Sequence, residues 1–139
     1  MPTSPICIDA GIVVRLVLFP NDSAVQSLWK TWTGGRQKII APALLYYEVV
    51  NVLYQYQKRG DLTVQMVTTA VNVALALPVE IHSDSDVHSS ALDVARKYGL
   101  PAAYDAHYVA LAQSYGAVLW TTDQRLVHRC QQDWVKPVE

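Results

Sequence analysis

ICIDAG, at residues 6–11, decides how the rest of the chain is read. Ile6, Cys7 and Ile8 form a short apolar run directly after the Met-Pro-Thr-Ser-Pro leader. A run of this kind, bounded by turn residues, predicts a buried strand. Asp9 ends it, followed by Ala10, Gly11 and a second apolar run, IVVRLVLF. In open α/β sheets, ligands bind outside the carboxyl ends of the strands. An acid at this position is therefore a candidate functional group, although a strand-end Asp also serves as an ordinary helix cap.

Outward from this stretch the pattern alternates. Helical spacing predicts helices over 10–19, 24–33, 43–58, 61–77, 83–98, 102–115 and 124–130. Short apolar runs predict strands over 39–41, 79–81 and 117–120, with a further edge strand at 134–135. Gly34-Gly35, Pro42, Arg59-Gly60, Pro78, Gly99 and Gly116 punctuate the elements. Asp61 is the expected start of the helix over 61–77. Strands alternating with helices predict an α/β fold. The expected form is a three-layer α/β/α sandwich around a central parallel sheet of four to five short strands. With no repeat, low-complexity tract or linker, residues 1–139 read as one domain.

The chain has 139 residues, is 51% hydrophobic and 17% charged, and carries a formal net charge of -1. The apolar surplus over an average domain predicts a surface covered in an oligomer or by a partner. No global positive field advertises nucleic-acid binding, so any nucleic-acid substrate must be held by local bases and metal ions. Cys7 and Cys130 form no CxxC pair, and Cys7 reads as a buried thiol in a reducing compartment. The leader lacks the blocks of a signal peptide, and no apolar run reaches the roughly 20 residues of a membrane span. The expectation is a cytoplasmic protein.

Of twelve Asp and Glu residues, four stand where the fold alone gives them little to do. Asp9 and Asp123 each follow an apolar strand. Glu48 lies in PALLYYEVVNVLYQYQK, on a narrow polar stripe with Asn51 and Gln55. A carboxylate there needs a partner, either a basic residue such as Arg15 or a metal. Asp105 lies in the first turn of the helix in LPAAYDAHYVALAQSYG, where the helix dipole favours any acid. Capping and dipole account for each acid singly. In a parallel sheet the strand ends share one edge, so the four can converge there. Clustered carboxylates repel unless a cation neutralises them, and an all-oxygen set selects Mg²⁺ or Mn²⁺. Such a site activates water for phosphoryl chemistry without a nucleophilic side chain.

These stretches resemble the PIN domain, and most closely the VapC-type toxin ribonucleases of bacterial and archaeal toxin–antitoxin pairs. ICIDAGIVVRLVL, PALLYYEVVNVLYQ and YDAHYVALAQSYGAVLWTTDQRL carry the likeness, in that order, over almost the whole chain. The resemblance implies a Mg²⁺- or Mn²⁺-dependent endoribonuclease with Asp9, Glu48, Asp105 and Asp123 as catalytic and metal-binding acids. Thr121 falls in the family's Thr-x-Asp pattern as a supporting hydroxyl. Asn51 fits as a group that orients Glu48 or a metal-bound water. The resemblance also implies a homodimer, an RNA substrate and a cognate antitoxin laid along an apolar groove. Trp29 and Trp32 are candidates for that groove, or for core packing. One departure is visible: many members carry Ser, Thr or Asn two residues after the first Asp, where this chain has Gly11, so a supporting hydrogen bond is expected to be lost.

Other signals are weaker. The four histidines lack zinc-ligand spacing, and His107 is expected at the surface, pointing away from Asp105. Tyr46, Tyr47, Tyr54 and Tyr56 read as packing residues, some able to stack bases. Arg125 is a candidate phosphate contact. The alternatives are a PIN-type nuclease acting in RNA processing or on DNA, and a non-catalytic module that keeps its acids for structure.

Overall fold

The computed structural model describes residues 4–139. The leader reading falls partly on residues 1–3, which lie outside the described part. The elements run β1 (Ile6–Ile8), α1 (Ala10–Leu18), α2 (Ser23–Gly34), β2 (Ile39–Pro42), α3 (Leu44–Lys58) and α4 (Val64–Ala76). They continue as β3 (Glu80–His82), α5 (Ser85–Tyr98), α6 (Tyr104–Tyr115), β4 (Val118–Thr121), α7 (Gln124–Cys130) and β5 (Val135–Pro137).

All five strands are parallel, in the order β3-β2-β1-β4-β5. Parallel neighbours need crossovers, and these are right-handed almost without exception. From β1 the chain steps through β2 to β3 in one direction, then returns past β1 to β4 and β5 in the other. Right-handed crossovers running in opposite directions put their helices on opposite faces. Hence α1, α3 and α4 pack on one another, while α5 packs on α6 and α6 lies over β1, β2 and β4. The predicted α/β sandwich is the observed architecture.

This topology creates a crevice. β1 sends the chain one way and β4 sends it the other, so the space beyond their carboxyl ends is the switch point where open α/β sheets bind ligands. Ile8 pairs with Trp120, which sets Asp9 and Thr121 side by side at that edge. The strands are anchored from below by fully buried Ile8, Ile12, Ile40, Leu45 and Leu119. Each such side chain contributes about 1.5–3 kcal/mol by burial, which makes the edge a rigid mount.

The helix starts show where local reading falls short. Asp61 does not open α4. Its carboxylate lies 3.3 Å from the Arg59 guanidinium, and Thr63 is the cap, its hydroxyl accepting from the Met66 amide at 3.1 Å. The helix therefore begins at Val64. The helices expected from 83 and 102 begin at Ser85 and Tyr104. Trp32 is core, buried against Trp120 at 5.9 Å between ring centroids, with Trp29 edge-on at 6.4 Å. Cys7 and Cys130 are buried free thiols, and burial raises the pKa of both. No helix among the described residues is long and apolar enough to cross a membrane.

Candidate metal centre

Asp9 caps α1 and is the most heavily engaged acid. Its Oδ1 accepts from the Ile12 amide at 3.1 Å. Its Oδ2 accepts from the Thr121 hydroxyl at 2.6 Å, the Thr122 amide at 3.0 Å and the Thr122 hydroxyl at 3.4 Å. Burial pushes the carboxyl pKa up, and these donors, Thr121 foremost, pull against it. Fixed donors around a buried carboxylate lock its orientation and stabilise the charge.

Thr121, the only buried polar residue of the described core, ties two acids together. Its hydroxyl donates to Asp9 and accepts from the Asp123 amide at 3.0 Å. Asp123 then caps α7, its Oδ1 accepting from the Arg125 and Leu126 amides at 2.9 and 3.4 Å. Its Oδ2 accepts no hydrogen bond from the described residues. The Thr-x-Asp spacing has a mechanical basis: the Thr is the last strand residue, buried, and the Asp is the second residue beyond it, at the cap of α7.

Glu48 is half-buried on the inner side of α3. The Tyr108 hydroxyl donates to its Oε1 in a short hydrogen bond. Arg15, the basic partner considered for Glu48, instead binds Asp22 at 2.6 Å and the Glu139 carbonyl at 3.0 Å. Asn51 lies exposed one turn on, paired with the Gln55 amide at 3.5 Å. The residue touching Glu48 is thus Tyr108. The sequence carries a signal for it, since Tyr108 lies three residues beyond Asp105 on the same helical face. Burial and the Glu48 hydrogen bond both raise the Tyr108 pKa, so it stays a donor.

Asp105 completes the set. No described donor reaches its carboxylate, and its pKa is raised to about 6, first by burial and then by the charges of Asp123, Glu48 and Asp9. The four acids therefore share one field at one sheet edge. The ion pairs among the described residues lie elsewhere: Arg15–Asp22, Lys38–Glu80, Arg59–Asp61, His82–Glu80 and Arg96–Asp93. Arg125 is exposed beside Asp123, at the start of α7.

Among the described residues, no group of three or more His, Cys, Asp or Glu side chains is gathered closely enough to hold a metal ion. The donor chemistry nevertheless suits a hard divalent ion. Every candidate ligand is a carboxylate oxygen, and no described base neutralises the set. Mg²⁺ keeps several of its waters and takes only one or two carboxylates directly, so an open arrangement of acids meets its needs where a zinc cage would not.

Gly11 explains the departure noted in the sequence. A Cβ at Gly11 would stand 2.0 Å from Thr122 Oγ1 and 2.9 Å from Thr122 Cβ. The Thr122 side chain fills the space that a side chain at position 11 would need, and its hydroxyl faces Asp9. The expected gap in the support of Asp9 is closed from the other strand.

A family model for the PIN domain matches residues 6–131. Ribonuclease VapC3 of Mycobacterium tuberculosis is 36% identical over 130 residues, covering 90% of this chain and 89% of that relative. The crystal structure of PAE2754 from Pyrobaculum aerophilum superposes with a TM-score of 0.73 at 24% identity, over 97% of this chain and 84% of that one. A toxin–antitoxin complex from Klebsiella pneumoniae contains a chain of similar fold, with a TM-score of 0.62 at 17% identity over 88% and 89% of the two chains.

Proposed function

The chain belongs to the PIN-domain family, in its VapC-type ribonuclease branch, and from that premise we propose that it is a Mg²⁺- or Mn²⁺-dependent endoribonuclease, the toxin of a toxin–antitoxin pair. The observation that carries this reading is the shared field of Asp9, Glu48, Asp105 and Asp123 at the switch point, with no described cation paired to any of them.

In this reading the four carboxylates hold the ion or ions. A bound divalent ion supplies a water of lowered pKa and steadies charge on a phosphoryl oxygen. Asp9 is the fixed point, its donors holding its orientation. Thr121 sets the distance from Asp9 to Asp123. Tyr108 holds Glu48 through Oε1 and leaves Oε2 for ligation. Asp105 has no competing donor among the described residues and would be open to a cation. Arg125, exposed near Asp123, would serve as a contact for a substrate phosphate.

Purified protein is expected to cut RNA with Mg²⁺ or Mn²⁺ and to stop on chelation. Asp9→Asn should lower the rate at least about a hundredfold, because a misplaced ligand costs roughly that much, while its circular dichroism stays native. Full cutting in excess chelator, or by the folded Asp9→Asn variant, would overturn the reading.

The antitoxin partner and the homodimer belong to the same proposal. Trp32 is unavailable for an antitoxin groove, being core. The apolar groove between α1 and α4 suits one better. Val17 and Leu18 line it on one side, Met66 and Val73 on the other, and the last two are half exposed. Met66→Glu is expected to weaken binding of the antitoxin encoded beside the gene by about tenfold or more, with RNA cutting by the free toxin retained. Unchanged affinity in isothermal titration would move the antitoxin to another face.

A further inference from the structure

A cavity of about 460 Å³ opens beside the acids, at the carboxyl ends of β2 and β3. It falls in the size range of small-ligand sites. Tyr47 and Tyr104 stand on its walls, 76% and 65% exposed. Each immediately precedes a proposed metal ligand, Glu48 and Asp105. Exposed aromatic rings flanking a phosphate site are stacking surfaces for bases.

Ser83, Tyr47 and Tyr104 bring hydroxyls to the lining, which donate or accept, and Asp84 brings its one carboxylate, which only accepts. Asp84 is the residue before α5, yet its side chain makes no capping hydrogen bond. Among the described residues its carboxylate has neither a donor nor an ion-pair partner. His88 Nδ1 lies 2.9 Å from His107 Nε2. The Ala103 carbonyl can only accept, so His107 Nδ1, at 2.7 Å, donates to it. His82, the third histidine of the lining, has both nitrogens engaged, by Glu80 and Tyr115.

We propose that this cavity binds the base of the nucleotide next to the scissile phosphate, and that the base it takes is guanine. This rests on the ribonuclease reading above. The Watson–Crick edge of guanine presents two adjacent N–H donors, which match the two oxygens of the free Asp84 carboxylate; carboxylates only accept. Adenine and cytosine place a ring acceptor beside their amino group, and that lone pair would face the carboxylate. Uracil offers one N–H between two carbonyls. Stacking on Tyr47 or Tyr104 is indifferent to the base, so Asp84 supplies the choice.

Two measurements test this. In Mg²⁺ buffer, guanosine 5′-monophosphate is expected to shift the His88 and His107 ring resonances and to bind about tenfold more tightly than adenosine 5′-monophosphate, as one bidentate contact allows. Asp84→Asn should bring that ratio close to one. Sequenced cuts of a mixed-sequence RNA should show guanine enriched at one position flanking the cut, with the enrichment collapsed in Asp84→Asn. Equal affinity for the two nucleotides, or enrichment undiminished in Asp84→Asn, overturns the proposal. Ring signals that respond to protein dilution and not to the nucleotide assign the cavity to a second copy of this chain and overturn it too. Guanine-nucleotide binding by a protein that cuts no RNA would support the pocket and overturn the ribonuclease reading alone.

Discussion

Gly11→Ala is expected to reduce RNA cutting on the order of a hundredfold and to destabilise the protein by about 1–3 kcal/mol. By propensity the change should help, since Ala is favoured over Gly inside a helix by about 1 kcal/mol and Gly11 is the second residue of α1. The local geometry reverses that sign. The new Cβ would stand 2.0 Å from Thr122 Oγ1, 2.9 Å from its Cβ and 3.0 Å from its Cγ2. Rotating the Thr122 side chain relieves the first and last contacts but not the second, because Cβ is fixed to the backbone. The Thr122 backbone must then move, and it carries the amide that donates to Asp9 Oδ2 at 3.0 Å. Damage at Gly11 therefore reaches Asp9 through Thr122. The double variant Gly11→Ala/Thr122→Gly removes the colliding atoms and should recover stability and much of the cutting. Gly11→Ser/Thr122→Ala should recover less, since the Ala Cβ keeps the 2.9 Å contact, although a hydroxyl is returned beside Asp9. Thermal melts and initial rates on one RNA decide it. A Gly11→Ala protein as active and stable as the parent would show that the contact does not constrain Asp9.

The pair also marks how far a sequence can be read. Runs of apolar residues sufficed for β1, β2 and β4, because a strand buried on both faces has no other composition available. The convergence of Asp9 with Asp123 was legible for the same reason: both follow such strands, and parallel strands end on one edge. What sequence spacing could not supply were contacts between distant segments. Gly11 read as a lost hydrogen bond because its space is filled from Thr122, on the far side of the chain. Asn51 read as the companion of Glu48 because it is one turn away, whereas the group touching Glu48 is Tyr108, from another helix. His107 read as a surface residue, and its partner His88 comes from α5. At α4 the failure was local: two acceptors, Asp61 and Thr63, competed for one helix start, and Arg59 took the first.

Asp105→Asn is expected to abolish cutting while making the metal-free protein more stable at neutral pH. The carboxyl has a pKa near 3.8 in the unfolded chain and about 6 in the fold, raised by burial and then by Asp123, Glu48 and Asp9. A raised acid binds its proton more tightly when folded. Below about pH 4 it is protonated in both states and contributes nothing. As pH rises from there through 6 the folded state must give up a proton it favours, so stability falls, and above 6 the full penalty is present. The lift corresponds to about 3 kcal/mol at full strength, and solvent reaching this half-buried side chain reduces it to about 1 kcal/mol. The first turn of α6 works the other way, favouring an acid by about 0.3–1 kcal/mol. The amide should therefore gain up to about 0.7 kcal/mol at pH 8, a rise of up to about 3 °C in melting temperature in chelator, and no gain at pH 4. Mn²⁺ should reverse the order, because an ion bound only by the folded state stabilises it by mass action and the parent holds it with one more charged oxygen ligand. A variant less stable than the parent at pH 8 in chelator, or one that gains equally at pH 4, would show that Asp105 is not under strain from its three neighbours, and the shared field that supports a metal centre would lose its basis.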